Sequence, residues 1–425
     1  MRLLVTGAGV IYSLPAVRRL GRLGHRLTVA SSHVRANGFY SRFTERRFLY
    51  PPIAEEPEAF LNSLETFLSE NPHDFGLPLF EETLILAKHR DRFKNLCRFP
   101  FGSYEDLLRF HDKSRFYRFA TGLGLSIPRT LEYSGGAVPK DFHFPALLKV
   151  PQSSGTRGVV RVDAEIELAQ VWTAMKARHV VPEKVSPLLQ EWVDGEPYCA
   201  LAYAWEGRPK GILIYRNLGQ YPVEGGIGMI RESVEHPEIR RIVERLLVSS
   251  AWHGVVGFDF LVPRENAIPQ LIDANPRLTP AVTLATRAGF DVLSMMTSFS
   301  EPEPAGKLRT GLRCFSEPVA LRWVKELLPG GALGLGDFFR MIGPILSSRS
   351  ETWDWGDAPS LRAIPAIFYD LFRSAMGWDV KGVDRIRSYQ FSDYGEMIPR
   401  LSVKAPNLSD LSAHCPVAQT GVGKA

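Results

Sequence analysis

Two short stretches decide the reading of this chain: Gly257-Phe-Asp259-Phe-Leu-Val262 and Leu271-Ile-Asp273-Ala-Asn275-Pro-Arg277. Each sets a carboxylate inside an apolar run of strand character, where Asp is depleted. Burying a carboxylate is costly unless it is paired or binds a cation. Asp259 and Asp273, with the amide of Asn275 on neighbouring strands, make an all-oxygen donor set. That chemistry suits Mg²⁺ bridged to phosphates. Arg277 lies two residues past Asn275, on the same strand face by period two. A guanidinium there would stabilise negative charge on a transferring phosphoryl group. The same residues also suit a surface hairpin with its charges satisfied.

Working upstream, Pro145-Ala-Leu-Leu-Lys149-Val runs into Ser153-Ser154-Gly155-Thr-Arg-Gly158. A lysine ending an apolar strand, followed by a loop of small residues, suits a polyphosphate: a point charge, then backbone N–H groups that close over phosphate oxygens. It is not a Walker A loop, since no Gly-Lys-Ser/Thr ends it, and an ordinary hairpin reads equally well. Pro187-Leu-Leu-Gln190-Glu191-Trp-Val193-Asp-Gly-Glu196-Pro-Tyr198 is a strand entering a polar turn, able to offer backbone groups to an adenine edge and acids to a ribose. His111-Asp112-Lys113 opens a helix. Asp112 is a natural N-cap, whereas Lys113 in the first turn opposes the helix dipole unless an anion lies nearby. Tyr221-Pro-Val-Glu-Gly-Gly-Ile-Gly228 reads as a glycine loop near a substrate or as a plain turn.

The remaining pattern supplies a frame. Residues 2–6, 26–30 and 75–80 are expected strands, and residues 13–24 and 57–70 expected helices, giving a βαβ opening and a parallel sheet up to about residue 110. The turn Gly7-Ala-Gly9 lacks the third glycine of a dinucleotide fingerprint, because position 12 is Tyr. It reads as a tight turn, or as an anion site at a helix start. Strands are expected at 145–150, 158–162, 187–193, 198–205, 209–215, 255–262 and 268–273, with helices at 112–125, 164–177 and 236–252. Glu301 to Gly306 reads as a linker, residues 299–402 as a mostly helical extension, and 403–425 as a loose tail.

Composition narrows the classes. The 425 residues carry 51 Lys and Arg against 46 Asp and Glu, a net charge of +5 without a basic stripe, which disfavours a nucleic-acid binder. Hydrophobic residues at 45% and charged residues at 23% are those of a globular protein. The four cysteines, Cys97, Cys199, Cys314 and Cys415, are far apart in sequence, so reduced thiols and a cytoplasmic setting are expected. No apolar run reaches the length of a membrane span, and the N-terminus reads as a first strand.

Taken in order, Asp-Lys at 112–113, Pro-x-x-x-Lys at 145–149, the small-residue loop, Gln-Glu-Trp-Val-x-Gly at 190–195, Phe-Asp-Phe at 258–260 and Asp-x-Asn-Pro-Arg at 273–277 resemble the ATP-grasp superfamily. The resemblance covers about residues 1–298 and is nearest to the carbamoyl-phosphate-synthase-like and carboxylate–amine ligase branch. It implies an α/β and α+β fold: an N-terminal α/β domain (1–110), an ATP-grasp domain (111–298) with a lid at about 125–190, and ATP held between two antiparallel sheets.

By position, the resemblance implies that Lys113 and Lys149 contact phosphates and that the mobile loop containing Ser153, Ser154, Gly155 and Gly158 covers them. It implies that Gln190, Glu191 and the Val193 backbone face adenine, that Asp259, Asp273 and Asn275 hold Mg²⁺, and that Arg277 and Arg216 act on the phosphoryl group. Pro197 stands where the family usually has the ribose-binding acid, so the resemblance passes that role to Glu196. The implied activity is ADP-forming ligation of a small-molecule carboxylate to an amine through an acyl phosphate, with ATP and Mg²⁺ as cofactors. Use of bicarbonate and a catalytically dead ATP-binding regulator are the alternatives. No nucleic-acid or membrane partner is expected, and a homo-oligomer is left open.

Overall fold

The structure is a computed structural model that describes residues 1–153, 158–177, 185–221, 225–324 and 334–362. The described residues fall into two compact units, one formed by 1–128 with 193–362 and the other by 129–192.

The larger unit opens with strands β1 (Arg2–Thr6), β2 (Arg26–Ser31), β3 (Thr44–Leu49) and β4 (Phe75–Pro78), paired in parallel in the order β3-β2-β1-β4. β1 and β4 are buried apolar runs, as parallel strands covered by helices must be. The covering helix Pro57–Glu70 buries Phe60, Leu61, Leu64, Phe67 and Leu68, one stripe at helical spacing. Each such side chain contributes about 1.5–3 kcal/mol when fully withdrawn from water. β3 has no counterpart in the sequence reading. It is an edge strand whose Glu45, Arg46 and Arg47 are exposed, so it has no apolar run to read.

The smaller unit is a four-stranded antiparallel sheet of β5 (Thr130–Glu132), β6 (Ala146–Lys149), β7 (Val159–Val162) and β8 (Leu188–Glu191), in the order β5-β8-β6-β7. It carries the helix Glu165–Ala177. Ala146, Leu148, Val160, Val162, Leu168 and Val171 share its core.

Back in the larger unit, the chain builds β9 (Gly195–Trp205), β10 (Arg208–Tyr221), β11 (Ile227–Val234), β12 (Gly254–Pro263), β13 (Gln270–Asn275), β14 (Arg313–Phe315) and β15 (Arg349–Ser350). They form a seven-stranded sheet in the order β13-β12-β9-β10-β11-β14-β15, antiparallel except for its last pair. The segment past residue 298, expected to be mostly helical, thus adds two short strands along with the helices Glu317–Trp323 and Leu335–Leu346. β10 is also longer than expected, and the glycine loop expected at 221–228 ends in β11. Residues 222–224 of that loop, residues 325–333 and 363–402 of the expected helical extension, the tail from 403 and Cys415 lie outside the described residues.

Two ties close the larger unit. Arg18, on helix Ser13–Arg22, is 3% exposed and pairs with the fully buried Asp357 at 2.9 Å. Asp357 also accepts from the Ser41 hydroxyl at 2.8 Å and the Arg42 N–H at 2.7 Å. Arg231 of β11 pairs with buried Glu351. Cys97, Cys199 and Cys314 are buried thiols. Among the described residues no helix is long and apolar enough to cross a membrane.

Candidate active site

Strand alternation builds the centre of the site in the larger unit. Phe258 and Phe260 of β12 are each 1% exposed, and Phe258 packs against Phe110 and Phe116 with ring centroids 5.9 and 6.4 Å apart. Asp259 between them must point to the opposite face. The antiparallel register sets Asp259 directly across from Asp273 and Gly257 across from Asn275. Directly opposed residues have Cβ atoms about 5 Å apart. Asn275 Nδ2 donates to Asp259 Oδ2 at 3.1 Å, and Arg277 Nη2 donates to Asn275 Oδ1 at 3.0 Å.

Arg277 lies just beyond the strand, not on it. Pro276 ends the ladder, and the Arg277 N–H donates to the Asn275 carbonyl at 2.7 Å in a tight turn. The guanidinium then rests over the Phe80 ring, 4.3 Å from its centroid.

The electrostatics follow from this crowding. Asp259 is pushed up to about 6, first by removal from water and next by the negative charge of Asp273. The Cys199 thiol, opposite it on β9, together with Arg277 and Asn275, opposes that shift. Among the described residues no three His, Cys, Asp or Glu side chains cluster. The donor set here is therefore two carboxylates and one amide oxygen. A hard divalent cation fits it: the cation would remove the repulsion that raises Asp259, and all three groups offer oxygen.

Lys113 opens helix Lys113–Gly122 behind its N-cap Asp112, whose Oδ1 accepts from the N–H groups of Ser114 and Arg115 at 2.9 and 3.1 Å. The Lys113 ammonium lies 3.4 Å from Asp273 Oδ1. A cation at a helix N-terminus is thus countered by the Asp273 carboxylate, while Asp112 caps the helix. Arg216 of β10 sits in a cross-strand row with Glu232 of β11 and Arg313 of β14, at 2.7 Å and 2.6 Å from the carboxylate. Glu196, exposed on β9, is close enough to raise the Arg216 affinity for its proton, after the larger effects of Glu232. Val193 lies in the short segment before β9.

The smaller unit holds the other expected residues. Lys149, 6% exposed on β6, donates to Gln190 Oε1 on β8. Gln190 Nε2 in turn donates to the Thr130 hydroxyl at 2.8 Å. Glu191 Oε1 accepts the His143 N–H at 2.9 Å. The Val150 N–H donates to the Gly158 carbonyl at 2.8 Å, and Ser153 Oγ donates to the Val150 carbonyl at 2.9 Å. Gly158 has φ +62°, a conformation that favours glycine. Ser154 and Gly155 lie outside the described residues.

Sequence reasoning missed two buried acids at the start of helix Glu82–Lys88, which follows β4. Glu81 and Glu82 are 2% and 1% exposed. Glu82 Oε2 accepts the Phe80 N–H at 3.1 Å and Oε1 accepts the Tyr50 hydroxyl at 3.3 Å. Gly7, at φ +69°, has room for nothing larger: a Cβ there would lie 2.3 Å from Glu82 Oε1. The available signal was two adjacent acids at 81 and 82, ending the apolar run that begins with the buried strand Phe75–Pro78. Trp353 and Trp355 are 43% and 75% exposed, edge to face at 5.0 Å. His253 packs its ring against Trp205 at 4.7 Å.

Burial raises Glu82 from 4.5 to about 7. The unfolded chain ionises this group near 4.5 and the folded chain near 7, so the native state binds more protons across that window. Stability therefore falls as pH rises from about 4.5 to about 7. Glu82→Gln is expected to melt like the wild type at pH 4.5 and to gain on it steadily up to pH 7.5, by about 1–3 kcal/mol. Parallel thermal denaturation of both proteins from pH 4.5 to 8 checks this, and a pH-independent difference would refute the assignment.

No protein-family model matches the chain, and no curated protein sequence matches it. Solved structures do. An L-amino acid ligase from Bacillus licheniformis superposes with TM-score 0.55 at 17% identity, over 71% of this chain and 75% of that one. Biotin carboxylase from Campylobacter jejuni, solved as a β,γ-ATP complex, gives 0.57 at 16% identity, over 73% and 74%. N5-carboxyaminoimidazole synthetase from Staphylococcus aureus, complexed with ADP, gives 0.56 at 13% identity, over 72% and 80%.

Proposed function

The chain has the ATP-grasp fold, and from that premise we propose that it is an ADP-forming carboxylate–amine ligase. ATP phosphorylates a substrate carboxylate, and an amine displaces phosphate from the acyl phosphate to leave an amide. The observation that carries this reading is the opposed pair Asp259 and Asp273, joined to Asn275 and Arg277.

In this reading Asp259, Asp273 and Asn275 hold magnesium, which neutralises phosphate charge when bound. Arg277, fixed in orientation by Phe80 and Asn275, stabilises the equatorial oxygens of the transferring group. Lys113 and Arg216 supply further positive charge. Lys149 binds phosphate, together with Ser153, Ser154, Gly155 and Gly158. Gln190, Glu191 and the Val193 backbone take the adenine, and Glu196 the ribose. The catalytic work is positioning and charge stabilisation, so no nucleophilic Ser or Cys is needed.

The L-amino acid ligase likeness supports amino-acid substrates, and the biotin carboxylase likeness supports bicarbonate as the competing acid. The test is ADP release from Mg·ATP with paired acids and amines, bicarbonate included, and mass spectrometry of the products. An amide formed only with a particular pair is expected. ADP release with bicarbonate alone, or ATP binding without any acid-dependent release, would overturn the ligase reading. In the same assay Lys149→Ala is expected to weaken nucleotide binding about 10- to 100-fold, from loss of a charge-assisted phosphate contact.

A further inference from the structure

A concavity of about 360 Å³ lies in the larger unit, away from the reaction centre. Its wall is drawn from the start of β4, from helix Arg90–Phe93 and the segment after it, and from the end of β9. Pockets for small molecules usually span about 300–1,000 Å³. Tyr203, in this wall, lies four residues along β9 from Cys199, the residue across from Asp259. At about 3.3 Å per residue, the two positions are about 13 Å apart.

The wall combines two chemistries. Phe75, Phe99, Tyr203, Trp205 and Phe299 give it aromatic surface. Phe299 is 53% exposed, its ring 4.9 Å from that of Phe75. His253, which burial pushes below its usual value, adds a neutral imidazole edge to face with Trp205. The charged residues of the wall are Arg90, Lys94 and Arg98, and none of the described residues that line it is acidic. Lys94 has a local partner in Asp91 at 3.6 Å. The Arg98 guanidinium rests over the Phe299 ring, 4.9 Å from its centroid. Arg90 lies over Phe101 and donates to its carbonyl. Among the described residues neither arginine forms an ion pair. The wall thus holds positive charge that it does not itself neutralise.

Tyr203 gives an independent sign. It is 1% exposed, and burial alone raises its phenol, with no hydrogen bond or charge acting on it. A buried hydroxyl normally has a partner. Here the group lines an open pocket.

We infer that this pocket binds a planar aromatic molecule carrying an oxyanion, either a carboxylate or a phosphate. Arg98 and Arg90 receive the oxyanion, since a guanidinium fork matches both groups. The ring lies against Trp205, Phe99 and Phe299, and the Tyr203 hydroxyl is within the pocket to meet a polar atom of the ligand. Each half of the ligand needs the other. A bare oxyanion leaves the aromatic wall in water, and a neutral ring leaves two guanidinium groups unmet.

The experiment is saturation-transfer NMR on the full chain with excess Mg·ADP present to occupy the nucleotide site. The probes are indole-3-acetate and phenyl phosphate, with indole and phenol as rings without the anion, and acetate and inorganic phosphate as anions without the ring. Indole-3-acetate or phenyl phosphate is expected to bind at least about tenfold more tightly than its neutral ring, the scale of one charge-assisted contact. Acetate and inorganic phosphate are expected to give no signal. Which aromatic anion binds more tightly tells a carboxylate site from a phosphate site. Arg98→Gln is expected to weaken the binding about 10- to 100-fold. Its melting temperature should move by only a few degrees, because the side chain it replaces makes no ion pair. Arg277→Ala is expected to bind the probe like the wild type. Neutral rings binding as tightly as their anions, undiminished binding by Arg98→Gln, or no binding of either aromatic anion would each overturn the inference. Loss of binding in Arg277→Ala would place the probe at the reaction centre and overturn it as well. The comparison among probes on the wild type needs no variant to fold.

Discussion

Asp273→Asn is expected to lower Mg·ATP turnover by about 10³-fold or more, the several kcal/mol that a cation's charge stabilisation contributes to phosphoryl transfer. The substitution keeps volume and removes one of the two opposed carboxylates. Its effect on the resting fold is expected to be small, because two changes oppose each other. Asp259 loses the like charge that helps raise it, while Lys113 loses a carboxylate at 3.4 Å. Turnover should therefore collapse while the melting temperature in the absence of nucleotide moves by only a few degrees. Steady-state ADP release together with thermal denaturation makes the check. Wild-type turnover in this variant would remove Asp273 from the metal site.

Arg277 carries the second large effect, and the two replacements differ for a stated reason. Arg277→Ala is expected to cost about 10³-fold in kcat, the scale of a guanidinium stabilising transferred phosphate. Arg277→Lys keeps the charge. It gives up the packing over Phe80 and the paired reach to Asn275 and the Leu278 carbonyl, and it is expected to recover no more than about tenfold of that loss. Nucleotide affinity should change little in either, since the interaction matures in the transition state. A kcat within threefold of wild type for Arg277→Ala would show that the guanidinium is not engaged with the reacting group.

The parts of the molecule legible from sequence were those whose reasons are local. The Phe-Asp-Phe alternation at 258–260 announces a strand with a carboxylate on its polar face, and the register then brings Asp259 opposite Asp273. Asp112 reads as an N-cap from its own neighbourhood and caps its helix. What stayed hidden depends on distant partners. β11 contains Arg231, Glu232 and Ser233 in a row, all buried, a pattern that looks like a loop. It can be a central strand because Arg231 meets Glu351 and Glu232 meets Arg216 and Arg313. Glu81 was invisible for the same reason: two adjacent acids read as a solvated helix start until the packing around Tyr50 and Arg277 is known.

The Arg18–Asp357 pair joins residues 339 positions apart. Truncating either partner of such a buried pair typically costs about 3–5 kcal/mol, because the survivor keeps its charge without compensation. During synthesis, helix Ser13–Arg22 emerges long before Asp357 does, and its buried arginine waits unpaired through that interval. The first strands of the nascent chain can pair early, but Arg18 gains its carboxylate partner only after residue 357 has left the ribosome. A chain that terminates before residue 357 keeps that charge buried without compensation, and is expected to be left as a substrate for chaperones and proteases.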